Sequence, residues 1–211
     1  MGTLDGQVAW VTGAGTGIGW GAALELARAG ATVVVSGRRM EPLEDGCAGH
    51  PERRAGTVAI KQLDVADRPA VYAVVEAIEQ EYGRLDIVVN SAGINVQRRN
   101  WVNLDDDDWD RVVRINLDGA FYCCKAVLPL MRKQGGGLIL NISSMAAKRV
   151  STLTGPAYTS SKHAMNALTE SINIENCIYG IRACAVCPGE VATPILDQCR
   201  CASEKDRRRL A

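Results

Sequence analysis

The residues best suited to chemistry are Tyr158 and Lys162, in the run Tyr158-Thr159-Ser160-Ser161-Lys162. On a helix, positions i and i+4 share a face, with Cβ atoms roughly 5–6 Å apart. A lysine ammonium so placed favours the ionised form of a phenol, because opposite charge stabilises it. A tyrosine of ordinary pKa near ~10 thereby becomes a proton donor and acceptor usable at neutral pH. The same spacing also occurs on solvated helices that do no chemistry, so the pair takes its meaning from the elements that hold it.

The first of these elements is near the N-terminus. The β-type run Val8-Ala9-Trp10-Val11-Thr12 feeds into Gly13-Ala14-Gly15-Thr16-Gly17-Ile18-Gly19, and a helical pattern with Ala22, Ala23, Leu24, Leu26 and Ala27 follows. A strand, a glycine turn and a helix in this order let the backbone approach a pyrophosphate at the helix N-terminus, where free N–H groups and a partial positive charge wait. The spacing is Gly13-x-x-x-Gly17-x-Gly19, different from the more familiar G-x-G-x-x-G turn.

The pattern continues as repeating βα units. Strands are predicted near 7–12, 31–36, 57–63, 85–90, 137–143 and 182–187, and helices near 17–29, 40–48, 67–82, 105–133 and 157–179. Several strands are continuous apolar runs, as strands buried on both faces are. The alternation implies an α/β fold, a Rossmann-like doubly wound parallel sheet covered by helices on both sides, in a single domain over residues 1–211. Ligands bind such sheets beyond the carboxyl ends of the strands. There the sequence places the glycines, Asp64-Val65, Asn90-Ser91-Ala92-Gly93, Ser143-Ser144 and Pro188-Gly189, with Tyr158 opening the helix beside the fifth strand's edge.

Composition narrows the function. Lys+Arg and Asp+Glu both number 24 and hydrophobic residues make up 47%, which implies neither a nucleic-acid surface nor an acidic tail. No apolar run approaches the ~18 residues of a membrane span, and no targeting segment precedes the first strand, so a cytoplasmic protein is expected. Of the eight cysteines, Cys184 and Cys187 have metal-like spacing, but on a strand i and i+3 point to opposite faces. Ordinary reduced, mostly buried thiols are expected, and no metal site. The acidic run Asp105-Asp106-Asp107-Asp108 reads as an N-cap and first helical turn.

Taken together, these motifs resemble those of the classical short-chain dehydrogenase/reductase family, over about residues 5–197. Thr12-Gly13-Ala14-Gly15-Thr16-Gly17-Ile18-Gly19 matches T-G-x-x-x-G-I-G. Asn90-Ser91-Ala92-Gly93 matches N-N-A-G, with Ser91 replacing the second Asn. Asn116 matches the catalytic Asn, Asn141-Ile142-Ser143-Ser144 precedes Tyr158-x-x-x-Lys162, and Pro188 through Thr193 matches the loop that holds a nicotinamide carboxamide. Ser144 stands 14 residues before Tyr158, one more than the family's usual spacing. Ser144 remains the candidate catalytic serine, and Ser143, pointing the other way along the strand, is expected to be structural.

The resemblance implies hydride transfer between a nicotinamide dinucleotide and a small-molecule alcohol or carbonyl compound. Tyr158 would move the proton, and Lys162 would lower the Tyr158 pKa and bond the nicotinamide ribose. Ser144 would donate to the carbonyl oxygen, and Asn116 would anchor a water leading from Lys162 to solvent. The cofactor would lie against Gly13, Thr16, Gly17, Ile18 and Gly19, then Asp64 and Val65 at the adenine, Asn90, Ala92 and Gly93, Tyr158 and Lys162, and Pro188, Gly189, Val191 and Thr193. At the end of the second strand, where an acid would read a ribose 2′-OH, stands Arg38, which suits a 2′-phosphate. NADP(H) is therefore expected ahead of NAD(H).

Substrate walls are expected from Ile94 through Gln97 and from Met145 through Ala157, where Lys148 and Arg149 read as solvated. The family pattern continues past the Pro-Gly loop into a lid, another helix and a seventh strand. This sequence stops at Ala211, so a rudimentary lid and a six-stranded sheet without the edge strand are expected. Apolar residues exceed one stripe on helices 105–133 and 157–179. The resemblance implies a homodimer or homotetramer through those two helices. The competing reading from another class is a nucleotide-binding regulator of the same fold without turnover.

Overall fold

The computed structural model describes residues 2–48, 58–193 and 195. Its strands are β1 (Val8–Thr12), β2 (Thr32–Ser36), β3 (Val58–Ile60), β4 (Ile87–Asn90), β5 (Gly137–Ile142) and β6 (Ile181–Val186), all parallel, in the order β3-β2-β1-β4-β5-β6. The chain builds outward from β1 through β2 to β3, then returns to lay β4 on the other side of β1. The register pairs Thr12 with both Ser36 and Asn90. Strand order reverses at this junction of β1 and β4, which opens a crevice at their carboxyl ends.

The helices are α1 (Gly17–Arg28), α2 (Met40–Ala48), α3 (Arg68–Tyr82), α4 (Asp106–Val113), α5 (Gly119–Gln134) and α6 (Pro156–Asn176). Local signals set their ends. Asp67 caps α3 by accepting from Ala70 N at 3.1 Å, Pro69 sits in its first turn, and Gly83 ends it in the left-handed region. Asp105 caps α4 by accepting from Asp108 N at 2.7 Å, which gives the acidic run the capping role expected of it.

Alternate strand residues feed two apolar layers. Trp10, Val34, Val88 and Ile139 face α3, α5 and α6, where they meet Ile78, Val127, Met131 and Ile172. Val11, Val33, Val35 and Val89 face α1 and α2, against Ala23, Ala27 and Leu43. Burial on both faces explains why these strands read as unbroken apolar runs.

Three expectations need correction. The helix foreseen over 105–133 is interrupted by a π turn at Arg114–Asp118; apolar periodicity does not distinguish one extra residue in a turn. The third strand, foreseen over 57–63, pairs only from Val58 to Ile60, although Lys61 N and Leu63 N still donate to Val35 O and Gly37 O, each at 3.0 Å. The thiols are not mostly buried: among the described cysteines, Cys123 and Cys124 are buried, Cys47 and Cys187 half-buried, Cys177 and Cys184 exposed. The reason for Cys184 is that β6 is the last strand of the described sheet and one of its faces, with Arg182, Cys184 and Val186, is uncovered. Position 57, the connection through 50–56, Cys199, Cys201 and the expected lid lie outside the described residues.

Candidate active site

The crevice beyond β1 and β4 is part of a cleft of about 1030 Å³. The glycine turn forms its floor. Gly13 has a φ of 64° and Gly17 of 59°, backbone that side chains rarely adopt. A Cβ on Gly13 would sit 2.6 Å from Ala92 Cα and N, so the turn lies directly on the loop after β4. Thr16, in extended backbone, precedes α1 without a side-chain capping bond. The first N–H groups of α1 therefore lack a side-chain acceptor and suit an anionic pyrophosphate.

At one end of the cleft lie Gly37, Arg38 and Arg39 after β2, and Leu63, Asp64 and Val65 after β3. Gln62 Nε2 donates to Arg38 O at 2.7 Å, tying these two loops together. Asp64 Oδ1 accepts from Ala66 N at 3.0 Å, which fixes the turn and leaves the second carboxylate oxygen for a ligand.

The chemical centre is at the start of α6. Lys162 is 4% exposed, and its Nζ donates to Ile142 O at 2.7 Å. The same nitrogen stands 5.6 Å from the centroid of the Tyr158 ring. Burial pushes the Lys162 ammonium from 10.5 down to about 8, with the nearby Cys187 thiol acting in the opposite sense. Ser144 begins the short 3-10 turn Met145–Ala147, and its Oγ accepts from Ala146 N at 3.1 Å. That bond uses a lone pair, so the hydroxyl proton is still available to donate. Ser144, Tyr158 and Lys162 all line the cleft. Ser143 also borders the cleft, but it is buried and donates to Lys162 O at 3.2 Å.

Of the residues singled out in the sequence, Gly13, Thr16, Gly17, Ile18, Arg38, Asp64, Val65, Ala92, Gly93, Ser144, Tyr158, Lys162, Pro188, Gly189, Val191 and Thr193 line this cleft. Gly19, Asn90 and Asn116 stand behind it. Gly19 is buried where a Cβ would strike Gly13 O, so its part is close packing of α1 on the turn. Asn90 is 2% exposed and donates to Asn141 Oδ1 at 2.8 Å and Cys124 Sγ at 3.3 Å. Its side chain thus joins β4 to β5 beneath the site.

Asn116 lies on the π turn, fully buried. Its Oδ1 accepts from Ile94 N at 2.8 Å, and its Nδ2 donates to Ile94 O at 2.9 Å and Ser161 Oγ at 3.2 Å. The side chain fastens the loop after β4 to α6, where the sequence suggested a water anchor. A Cβ on Gly93 would lie 3.5 Å from both Asn116 Oδ1 and Lys162 Nζ, so Gly93 keeps the approach to Lys162 open. Sequence reasoning missed Leu63 as a cleft residue; its only signal was adjacency to Asp64.

Residues 7–203 match the family model described as short chain dehydrogenase. Over 198 residues the chain is 36% identical to a 3beta-hydroxysteroid dehydrogenase of Mediterraneibacter gnavus, covering 94% of this chain and 71% of that protein. It is 36% identical to the 3-oxoacyl-[acyl-carrier-protein] reductase FabG of Thermotoga maritima, covering 92% of this chain and 78% of that one. The crystal structure of a gluconate 5-dehydrogenase from Burkholderia cenocepacia in complex with NADP and tartrate superposes with a TM-score of 0.83 at 34% identity, covering 92% of this chain and 74% of that one.

Proposed function

The chain belongs to the short-chain dehydrogenase/reductase family of NAD(P)-dependent oxidoreductases, and on that premise we propose that it interconverts a secondary alcohol and a ketone with NADP(H), accepting NAD(H) less well. The observation that carries this reading is the meeting of Tyr158, Lys162 and Ser144 in the same cleft as the glycine turn.

When bound, a nicotinamide ring gives or takes the hydride. Tyr158 passes its phenolic proton to the oxygen of a ketone being reduced, or removes the proton from an alcohol being oxidised. Lys162, charged at neutral pH, holds positive charge 5.6 Å from the centre of the Tyr158 ring. Ser144 donates to the substrate oxygen where negative charge grows. Asn116 sets the positions of these groups through Ile94 and Ser161. Arg38, exposed at the adenosine end, supports the preference for a 2′-phosphate.

The names of the relatives, a hydroxysteroid dehydrogenase, a 3-oxoacyl reductase and a gluconate dehydrogenase, each pair a hydroxyl-bearing carbon with a carbonyl, in support of the same reaction class here. The proposal includes a single catalytic domain over residues 1–211, a cytoplasmic protein, and a homodimer or homotetramer through α4–α5 and α6. Among the described residues no helix is long and apolar enough to cross a membrane. Phe121, Ile174 and Ile178, at 41%, 79% and 78% exposure, remain on the outer faces of α5 and α6 and the turn that follows.

The test is Tyr158→Phe, assayed by NADPH oxidation over a carbonyl panel and by NADPH fluorescence. Turnover should fall roughly 10²–10⁴-fold while NADPH affinity is kept. Undiminished reduction by the phenylalanine variant would overturn the proposal.

A further inference from the structure

Resting on the oxidoreductase reading above, we infer that the substrate is a predominantly apolar cyclic or aryl ketone, or the matching secondary alcohol, and not a sugar, polyol or keto acid.

Beyond Ser144 and Tyr158 the cleft is walled by the segment between β5 and α6 and by the stretch after β6. Met145, Val150, Leu153 and Val191 all line it, at 48%, 75%, 62% and 39% exposure. Single exposed apolar side chains are ordinary, but several gathered around one cleft mark a place where apolar surface binds.

Several polar side chains of the same wall bond back to the protein. Asn95 is 6% exposed; its Nδ2 donates to Thr154 O at 3.1 Å and its Oδ1 accepts from Val96 N at 2.8 Å. Ser151 Oγ accepts from Leu153 N at 3.2 Å. Thr154 Oγ1 donates to Ser151 O at 3.2 Å and lies 2.8 Å from Thr159 Oγ1. Thr193 Oγ1 donates to Val191 O at 3.3 Å.

A site built for a polyhydroxylated substrate keeps such groups pointed at the ligand, because each unmatched hydroxyl on either side is penalised. Here Ser144 and Tyr158 face the cleft to serve the one reacting oxygen. Arg149 and Glu190 also line the cleft and are exposed, and their opposite charges sum to zero. Ser151, whose Oγ only accepts, and Thr152 are the exposed hydroxyls on this wall, too few for a polyol.

The experiment compares kcat/KM with NADPH for cyclohexanone, decalone and acetophenone against ketogluconate and acetoacetate. Each methylene newly buried against the wall is worth roughly fourfold, so burying two or three of decalone's additional carbons raises kcat/KM over cyclohexanone roughly 15- to 60-fold. Leu153→Ser and Val150→Ser should shrink that ratio several-fold with unchanged NADPH affinity. A second arm needs no turnover: calorimetric titration of decalone into the protein saturated with NADP should show binding that Leu153→Ser weakens.

Preference for ketogluconate or acetoacetate, a decalone-to-cyclohexanone ratio near one, or decalone affinity indifferent to both serine variants would overturn the inference and leave the oxidoreductase reading standing. Failure to bind NADPH would strike that reading, and the substrate class with it.

Discussion

Replacing Lys162 by methionine separates what this side chain does for stability from what it does for the reaction. Lys162 is 4% exposed and its pKa is pushed from 10.5 down to about 8, chiefly by burial. That difference corresponds to about 3 kcal/mol, the cost of holding a proton on the buried amine at any pH below about 8. The sign follows from proton counts. Between about 8 and 10.5 the unfolded chain binds more protons at this site than the folded one, so stability rises with pH across that window. The stabilisation is complete above 10.5 and lost as pH falls through about 8.

Methionine is uncharged and fills similar space beside Met165, whose Sδ lies 4.0 Å from Nζ. It forfeits the bond to Ile142 O at 2.7 Å, leaving a carbonyl short of a partner at a cost of about 1–2 kcal/mol. The variant should therefore be more stable at pH 7 by about 1–2 kcal/mol, raising Tm by roughly 2–8 °C for a domain of this size, while NADPH-dependent turnover collapses. Urea unfolding followed by tryptophan fluorescence, to which the fully buried Trp10 contributes, should show this advantage shrink and reverse as pH is raised toward 10. Parallel pH profiles for the two proteins would refute the reasoning, because they would mean that the fold does not disfavour the charge on Lys162.

Three other outcomes are expected. Arg38→Ala should weaken NADP binding roughly 10- to 100-fold, the worth of charge-assisted bonds to a phosphate, and leave NAD binding nearly unchanged by calorimetry. Gly93→Ala adds a Cβ 3.5 Å from Asn116 Oδ1 and Lys162 Nζ, an ordinary contact, so urea stability should change by less than about 0.5 kcal/mol; a misplaced cofactor should nevertheless lower turnover by up to ~10²-fold. Burial pushes the Cys124 thiol up to about 12 and Cys123 well above its usual range, so peptide mapping after brief alkylation should find these two unmodified until the protein is unfolded, and Cys177 and Cys184, which are exposed, modified first among the described cysteines.

Much of the fold was legible because its physics is local. Two-sided burial of β2 writes Thr32-Val33-Val34-Val35 as a run of β-branched residues, and the left-handed backbone at Gly13 and Gly17 leaves a glycine in the sequence wherever the turn needs one. Helical spacing likewise puts Tyr158 and Lys162 on one face, and the strand-edge motifs around them give that face its chemistry. The π turn at Arg114–Asp118 was not legible, because α and π geometry bury the same apolar residues on either side of it. Nor was the exposure of Cys184, which depends on what covers the outer face of β6 rather than on the strand's own residues.

The hardest residue to read was Asn90, whose motif suggested contact with a cofactor. In three dimensions it starts a chain of bonds. Its Nδ2 donates to Asn141 Oδ1 at 2.8 Å, Asn141 Nδ2 donates to Thr169 Oγ1 at 2.9 Å, and Thr169 Oγ1 donates to Met165 O at 2.8 Å. Asn90 and Asn141 are register partners on neighbouring strands, and Thr169 and Met165 belong to α6. The chain therefore runs from β4 through β5 into the helix that carries Tyr158 and Lys162. Apolar packing tolerates small slides and rotations of a helix, whereas directional buried polar bonds favour one arrangement. Asn116 adds a second tie, through Ser161 Oγ at 3.2 Å, at the reacting end of the same helix. With α6 held at both points, the position of Tyr158 relative to the crevice is set by the sheet itself. Asparagines buried at a strand edge thus act on the site from beneath it, a role that depends on partners 28 to 51 residues away and that no local pattern records.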